Sequence, residues 1–184
     1  EEHLDYYKNF NNLLEAFRIF IEKTPPIGKS FLFLDDTNIK GIIKKIKTKN
    51  YFTYGFHKNS NYQICNAKYE INCTKFDLKI KNTGSKNISI KNISLNLIGK
   101  HNIQNATAAI ALCLNLGLKE NVIKKALKNF SGVQRRLIKV FKKNQIEFYD
   151  DYAHHPTEIE SVLDGLRRVA PKRKIISVSQ PHRY

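Results

Sequence analysis

Methionine and tryptophan are absent from the 184 residues, cysteine occurs three times, and 16 acidic side chains stand against 32 lysines and arginines. Each scarcity narrows the reading. With no methionine the chain does not open on a start codon, and both ends are expected to be cuts within a longer protein. Cys65, Cys73 and Cys113 are odd in number and lack metal-type spacing, which fits a reducing cytoplasm rather than a disulfide framework. No apolar run approaches the ~18 residues of a membrane-spanning helix, so no membrane partner is expected. Glu1-Glu2-His3 has no signal-peptide character.

What is present is a globular composition. Hydrophobic residues make up 41%, enough for a packed core and too many for a disordered chain. The net charge of +16 is of the kind that attracts nucleic acid. Here, however, the lysines are scattered among asparagines and isoleucines, and the aromatics fall mainly at core-like positions. A single-strand-binding face needs both kinds of residue on one surface, so no nucleic-acid partner is expected.

Leu4 to Glu22 places Phe10, Leu13, Leu14, Phe17 and Ile21 at helical spacing and is expected to be one amphipathic helix, stopped by Pro25-Pro26. Ser30 to Leu34 reads as a buried parallel strand, followed by Asp35-Asp36-Thr37 as a cap for a helix from Asn38. Tyr51 to Phe56 is the next strand. From Tyr62 to Ile98 the apolar residues alternate, with Asn82-Thr83-Gly84-Ser85 as a turn, and predict a small antiparallel sheet of three strands. Asn102 to Leu116, closed by Gly117, and Asn121 to Phe130 are helices. Ser131-Gly132-Val133 is a hinge candidate. A hairpin (residues 137–149), a helix from Pro156 to about Val169, and a buried strand over Lys174 to Ser179 complete the reading. The fold class is α/β, with no internal repeat.

Three polar segments stand out. In Gly99-Lys100-His101-Asn102-Ile103-Gln104-Asn105 a glycine leads from a strand into a helix. The amides of Asn102 and Asn105 suit the edge of a purine, though Asn102 would also serve as a plain helix cap. In Asp150-Asp151-Tyr152-Ala153-His154-His155-Pro156-Thr157-Glu158, titratable groups crowd a strand end before a proline-led helix, where open α/β sheets place ligands. Alternatives are a two-histidine metal site or a polar loop capped by Thr157. In Gln180-Pro181-His182-Arg183-Tyr184 an arginine fork again follows a strand, shaped for a carboxylate or phosphate. Arg135-Arg136 at the hinge would meet phosphates or simply face solvent.

In order and spacing, these segments resemble the Mur ligase family. The resemblance runs over the whole chain: Glu2-His3-Leu4-Asp5, the Gly99 to Ala109 helix, the Gly132-Val133-Gln134-Arg135-Arg136 hinge, Asp150 to Glu158, and Gln180 to Tyr184. Glu2 departs from the aspartate usual in the family. The resemblance implies the latter part of a central, mainly parallel-sheet ATPase domain with a small antiparallel sheet (1–133), then the start of a Rossmann-like, amino-acid-binding domain (134–184). The phosphate loop, the UDP-sugar domain and an upstream metal-binding carboxylate have no counterpart here, so this chain by itself is expected to be inactive.

The signature at Gln180 to Tyr184 resembles the family branch that joins L-alanine to UDP-N-acetylmuramate in peptidoglycan precursor synthesis. A sibling branch that attaches a recycled peptide to the same sugar is the alternative. The implied cosubstrates are ATP with magnesium, and the implied intermediate is an acyl phosphate. By resemblance His3 is a magnesium ligand, His101, Asn102 and Asn105 face adenine, and Asp151 holds the ribose. Arg136 reaches the phosphates. His154, His182 and Arg183 line the alanine pocket, with Arg136 and His154 the catalytic pair.

Overall fold

The computed structural model describes residues 4–70, 73–81 and 87–180. The first expected helix is two. α1 (Leu4–Tyr7) and α2 (Phe10–Glu22) are separated by Lys8, whose φ of 67° lies in the left-handed region, and by Asn9, which caps α2 by accepting the Asn12 N–H at 2.9 Å. An unbroken apolar stripe did not reveal this break, because the stop is set by a local side-chain-to-backbone bond. β1 (Ser30–Phe33) leads to α3 (Thr37–Lys45), capped by Asp36, which accepts the Ile39 N–H at 2.8 Å. β2 (Tyr51–Gly55) pairs parallel with β1.

β3 (Tyr62–Tyr69), β4 (Thr74–Ile80) and β5 (Ile88–Leu95) follow. They do not form a separate sheet as expected. β2 pairs parallel with the start of β3, giving one five-stranded sheet in the order β1-β2-β3-β4-β5. The connections from β3 to β4 and from β4 to β5 are too short for a crossover, so those neighbours are antiparallel and the sheet is mixed. The expected turn at residues 82–85 lies outside the described residues.

Along β4, Thr74, Phe76, Leu78 and Ile80 are buried while Lys75 and Lys79 are exposed. On β5 the phase slips between Ile90 and Ile93, both buried, where Asn92 adopts φ 57°. Asp77 of β4 accepts the Asn92 N–H at 2.8 Å and the side-chain amide of Asn66 at 2.7 Å. Asn66 is itself at φ 52° on β3, so one carboxylate ties down two irregular residues.

α4 (Lys100–Asn115) ends as the sequence implied. Gly117 at φ 82° closes it, the Leu118 N–H reaching the Cys113 carbonyl and the Gly117 N–H that of Leu114, both at 3.0 Å. α5 (Glu120–Asn129), β6 (Ile138–Lys143), β7 (Ile146–Asp150) and α6 (Pro156–Val169) follow, with β6 and β7 an antiparallel hairpin. The expected buried strand over Lys174 to Ser179 is not formed. No partner strand lies beside it among the described residues to complete a ladder, and Ile176 and Val178 are exposed.

The chain divides into two compact units. One runs to Cys65 and takes in Leu78–Ser89; the other takes Asn66–Asp77 and the chain from Ile90 onward. In the first, Ile21, Leu32, Ile42 and Ile46 form a buried cluster flanked by Leu14, Ile39, Ile43 and Tyr51. In the second, Ile90 and Ile93 of β5, Ile110 of α4, and Ile123 and Leu127 of α5 line one apolar seam. Each fully buried isoleucine contributes about 1.5–3 kcal/mol, which fixes α4 against the strand that precedes it.

Candidate functional site

The second unit carries every described residue singled out for chemistry. β5 runs out at Leu95, and the turn into α4 is made by Gly99 at φ 108° and ψ 146°. That backbone conformation belongs to glycine, and the space a Cβ would fill is taken by the His101 ring, 2.7 Å away at Cε1. Gly99 therefore seats His101. The ring's Nδ1 is buried and has no hydrogen-bond partner among the described residues. Burial pushes the imidazole below its ordinary pKa; the negative charge of Asp151 opposes this and the positive charge of Arg136 adds to it. His101, Asp151 and Arg136 thus lie within one electrostatic neighbourhood, although 50 residues separate the first two.

Asn102 does not cap α4. Gly99 holds the cap position, and the Asn102 side-chain amide donates to the Ile98 carbonyl at 2.7 Å, bracing the turn from behind. Asn105, one turn on and on the same face, is exposed.

The segment from Gly132 to Leu137 is more constrained than its composition suggests. Gly132 at φ 94° is followed by two residues with side chains in the left-handed region, Arg135 at 60° and Leu137 at 51°, on either side of Arg136. Arg136 is held lightly: its side chain is 60% exposed, with Nη1 3.8 Å from Glu158 Oε1. Arg135 lies over the Tyr152 ring, 4.9 Å from its centroid, with Nε 3.9 Å from Asp150 Oδ2. Asp151 spends both oxygens on backbone: Oδ2 accepts the Leu137 N–H and Oδ1 the Ala153 N–H, each at 2.7 Å.

Beyond Asp151 the loop turns into α6. The expected cap at Thr157 is replaced by His155, whose Nδ1 accepts the Thr157 N–H at 3.3 Å, because Pro156 takes the first helical position. His154 Nδ1 lies 3.1 Å from the Tyr152 carbonyl. A carbonyl only accepts, so this bond puts the proton on Nδ1 and the basic lone pair of the neutral ring on Nε2. Glu158 accepts the His154 N–H at 3.3 Å. Burial raises the Glu158 carboxyl, but the backbone N–H groups of His154 and His155, with the charges of His154 and Arg136, bring it below the usual carboxylate range. Glu158 and Tyr152 were given no role from sequence. The spacing of four from His154 to Glu158, across the first turn of a proline-led helix, is the signal that would have found the glutamate.

His3, His182 and Arg183 lie outside the described residues. Among the described residues no group of three or more His, Cys, Asp or Glu side chains is placed to hold a metal ion, and His154 and His155 form no two-histidine centre with a third ligand. The three cysteines are free thiols, and no described helix is long and apolar enough to cross a membrane.

The chain is 49% identical over 182 residues to the UDP-N-acetylmuramate–L-alanine ligase of Pelagibacter ubique, covering 99% of this chain and 39% of that protein. It is 39% identical over 184 residues to the enzyme of the same name from Agrobacterium fabrum, covering 100% of this chain and 39% of that one. The chain thus spans about two fifths of the length of the curated relatives it matches. Among solved structures, the UDP-N-acetylmuramate–alanine ligase of Thermotoga maritima superposes with a TM-score of 0.76, at 28% identity over 99% of this chain and 39% of that chain. Residues 1–113 match the Mur ligase middle domain and residues 135–183 the Mur ligase, glutamate ligase domain, and the chain belongs to the Mur ligase family.

Proposed function

We propose that this chain is the nucleotide-facing part of an ATP-dependent ligase that joins L-alanine to the carboxylate of UDP-N-acetylmuramate, a cytoplasmic step in making peptidoglycan precursors. Residues 1–133 serve its ATP-binding domain and 134–184 open its amino-acid-binding domain. The observation that carries this reading is the meeting of His101, Asp151 and Arg136 in one neighbourhood, with a buried ring nitrogen left unpartnered. An orphaned buried polar atom calls for a ligand group, and a neutral imidazole suits an uncharged purine or ribose.

In the reaction the γ-phosphoryl group passes from ATP to a carboxylate oxygen, releasing ADP and leaving an acyl phosphate. The alanine amine then attacks the acyl carbon, the C–O bond to phosphate breaks, and the amine loses a proton. Negative charge grows on phosphoryl oxygens in the first step, and Arg136, lightly paired and carrying two parallel donors, is the group to meet it. His101, Asn102 and Asn105 face the adenine, and Asp151 is within reach of the ribose. By the family resemblance, His154, His182 and Arg183 are assigned to the alanine, whose amine must give up a proton. Magnesium, with His3 among its ligands, would accompany ATP and offset the charge of its phosphates.

Arg136→Ala in the intact ligase tests the assignment. kcat falls by about a hundredfold or more, the scale for a preorganised donor at a developing charge, while KM for L-alanine is unchanged. A kcat within about twofold of wild type removes Arg136 from the phosphates.

A further inference from the structure

Arg136 sits between two residues in a conformation that side chains rarely adopt, Arg135 at φ 60° and Leu137 at φ 51°. Such a pair persists only where the surroundings hold it. Here the holding is done from one short segment. The Tyr152 N–H donates to the Arg135 carbonyl at 2.8 Å, and Asp151 Oδ2 accepts the Leu137 N–H at 2.7 Å. The clamp is anchored at its far side, because Asp151 Oδ1 also accepts the Ala153 N–H at 2.7 Å. The hairpin sets its register: Ile138 pairs with Asp150, which brings Asp151 opposite Leu137.

We propose that Asp151 is a positioning residue that locks Leu137 in its left-handed conformation just after Arg136, while the neighbouring Tyr152 N–H holds the Arg135 carbonyl just before it, and so helps fix where that guanidinium points. The inference rests on the ligase reading for its kinetic consequence and adds to it. A ribose contact uses Asp151 only when nucleotide is bound, whereas the clamp is complete without one. Two backbone bonds leave each carboxylate oxygen one further lone pair, so the two uses are compatible. They are also separable.

The test uses the intact ligase and Asp151→Asn, which keeps the size of the side chain and turns one acceptor into a donor facing an N–H. Amide hydrogen exchange without nucleotide reads the clamp: the Leu137 or Ala153 N–H exchanges about tenfold faster or more in the variant. Kinetics with 2′,3′-dideoxy-ATP reads its consequence, since that nucleotide has no ribose hydroxyl to hold. With it, kcat falls about tenfold or more in Asp151→Asn, while KM for UDP-N-acetylmuramate and L-alanine stays at the wild-type value. Asp150→Asn, whose carboxylate only approaches Arg135 at 3.9 Å, leaves both readouts unchanged. Protection of Leu137 and Ala153 equal to wild type overturns the proposal, as does a loss of kcat seen with ATP but not with the dideoxy nucleotide. Should Asp151→Asn not fold, Asp151→Glu, with the carboxylate one methylene further out, is read by the same two measurements. If the wild type releases no phosphate with its three substrates, the ligase reading fails, and the exchange measurement alone decides whether Asp151 holds the hinge.

Discussion

The imidazole of His101 occupies the space that a side chain on Gly99 would need, with Cε1 2.7 Å from where the Cβ would stand. The glycine's φ of 108° and the ring's seat are therefore one feature of the turn into α4. Gly99→Ala forces both to change. It should destabilise the protein by about 1–3 kcal/mol, the cost of a side chain in a glycine-only conformation. Urea denaturation followed by circular dichroism checks this; a midpoint equal to wild type would show that the turn adapts freely.

His101 also predicts a pH dependence. Burial lowers its pKa below the ordinary 6.5, so the unfolded chain binds the proton that the folded chain refuses. Stability therefore rises with pH through the interval just under 6.5, and is lost as pH falls through the folded value. In His101→Gln that rise should be smaller. Melting temperatures of the two proteins between about pH 5 and 7.5 test it. Parallel curves would mean that His101 titrates alike in both states.

Asn102 has a structural bond that the sequence did not disclose, its amide donating to the Ile98 carbonyl at 2.7 Å. Asn102→Ala should lower stability by about 0.5–1.5 kcal/mol and also raise KM for ATP in the intact ligase. Asn102→Asp should be worse on stability, because a carboxylate set against a carbonyl has no proton to donate. A change in KM with no change in denaturation midpoint would remove the bracing role.

Asp77 is a test of the sheet alone. Its carboxylate holds Asn66 and Asn92, both at positive φ, and those two hydrogen bonds draw its pKa below the ordinary 3.8. The stability it contributes is present above that ordinary value and fades as pH falls through the lower, folded one. Asp77→Ala should cost about 1–3 kcal/mol near neutral pH and flatten the acid limb of the stability curve. A pH profile of denaturation midpoints from about 2.5 to 7 reads both effects.

Much of this architecture is written in local pattern. The β4 alternation of Phe76, Leu78 and Ile80, the Pro156 start of α6 and the Gly117 stop of α4 follow from periodicity and caps that act within a few residues. The break at Lys8 and the left-handed residue at Asn92 were hidden, since each is held by a side-chain bond to the backbone, from Asn9 or from Asp77. The strand expected over Lys174 to Ser179 failed for a non-local reason: a strand is a statement about its neighbour. At the site, the motifs drew attention to His101, Arg136 and Asp151. They could not show that Asp151 spends its oxygens on the hinge backbone, because that relation joins residues 14 apart through main-chain atoms common to every sequence.

The proposed activity is the ATP-driven addition of L-alanine to UDP-N-acetylmuramate by the intact protein containing this chain. Phosphate release measured with each substrate omitted in turn, with the product identified by mass, tests it most directly. Release is expected only when UDP-N-acetylmuramate, L-alanine and ATP are all present, with a product heavier than the sugar nucleotide by one alanine residue. Release supported by a peptide but not by L-alanine, or by neither, would contradict it.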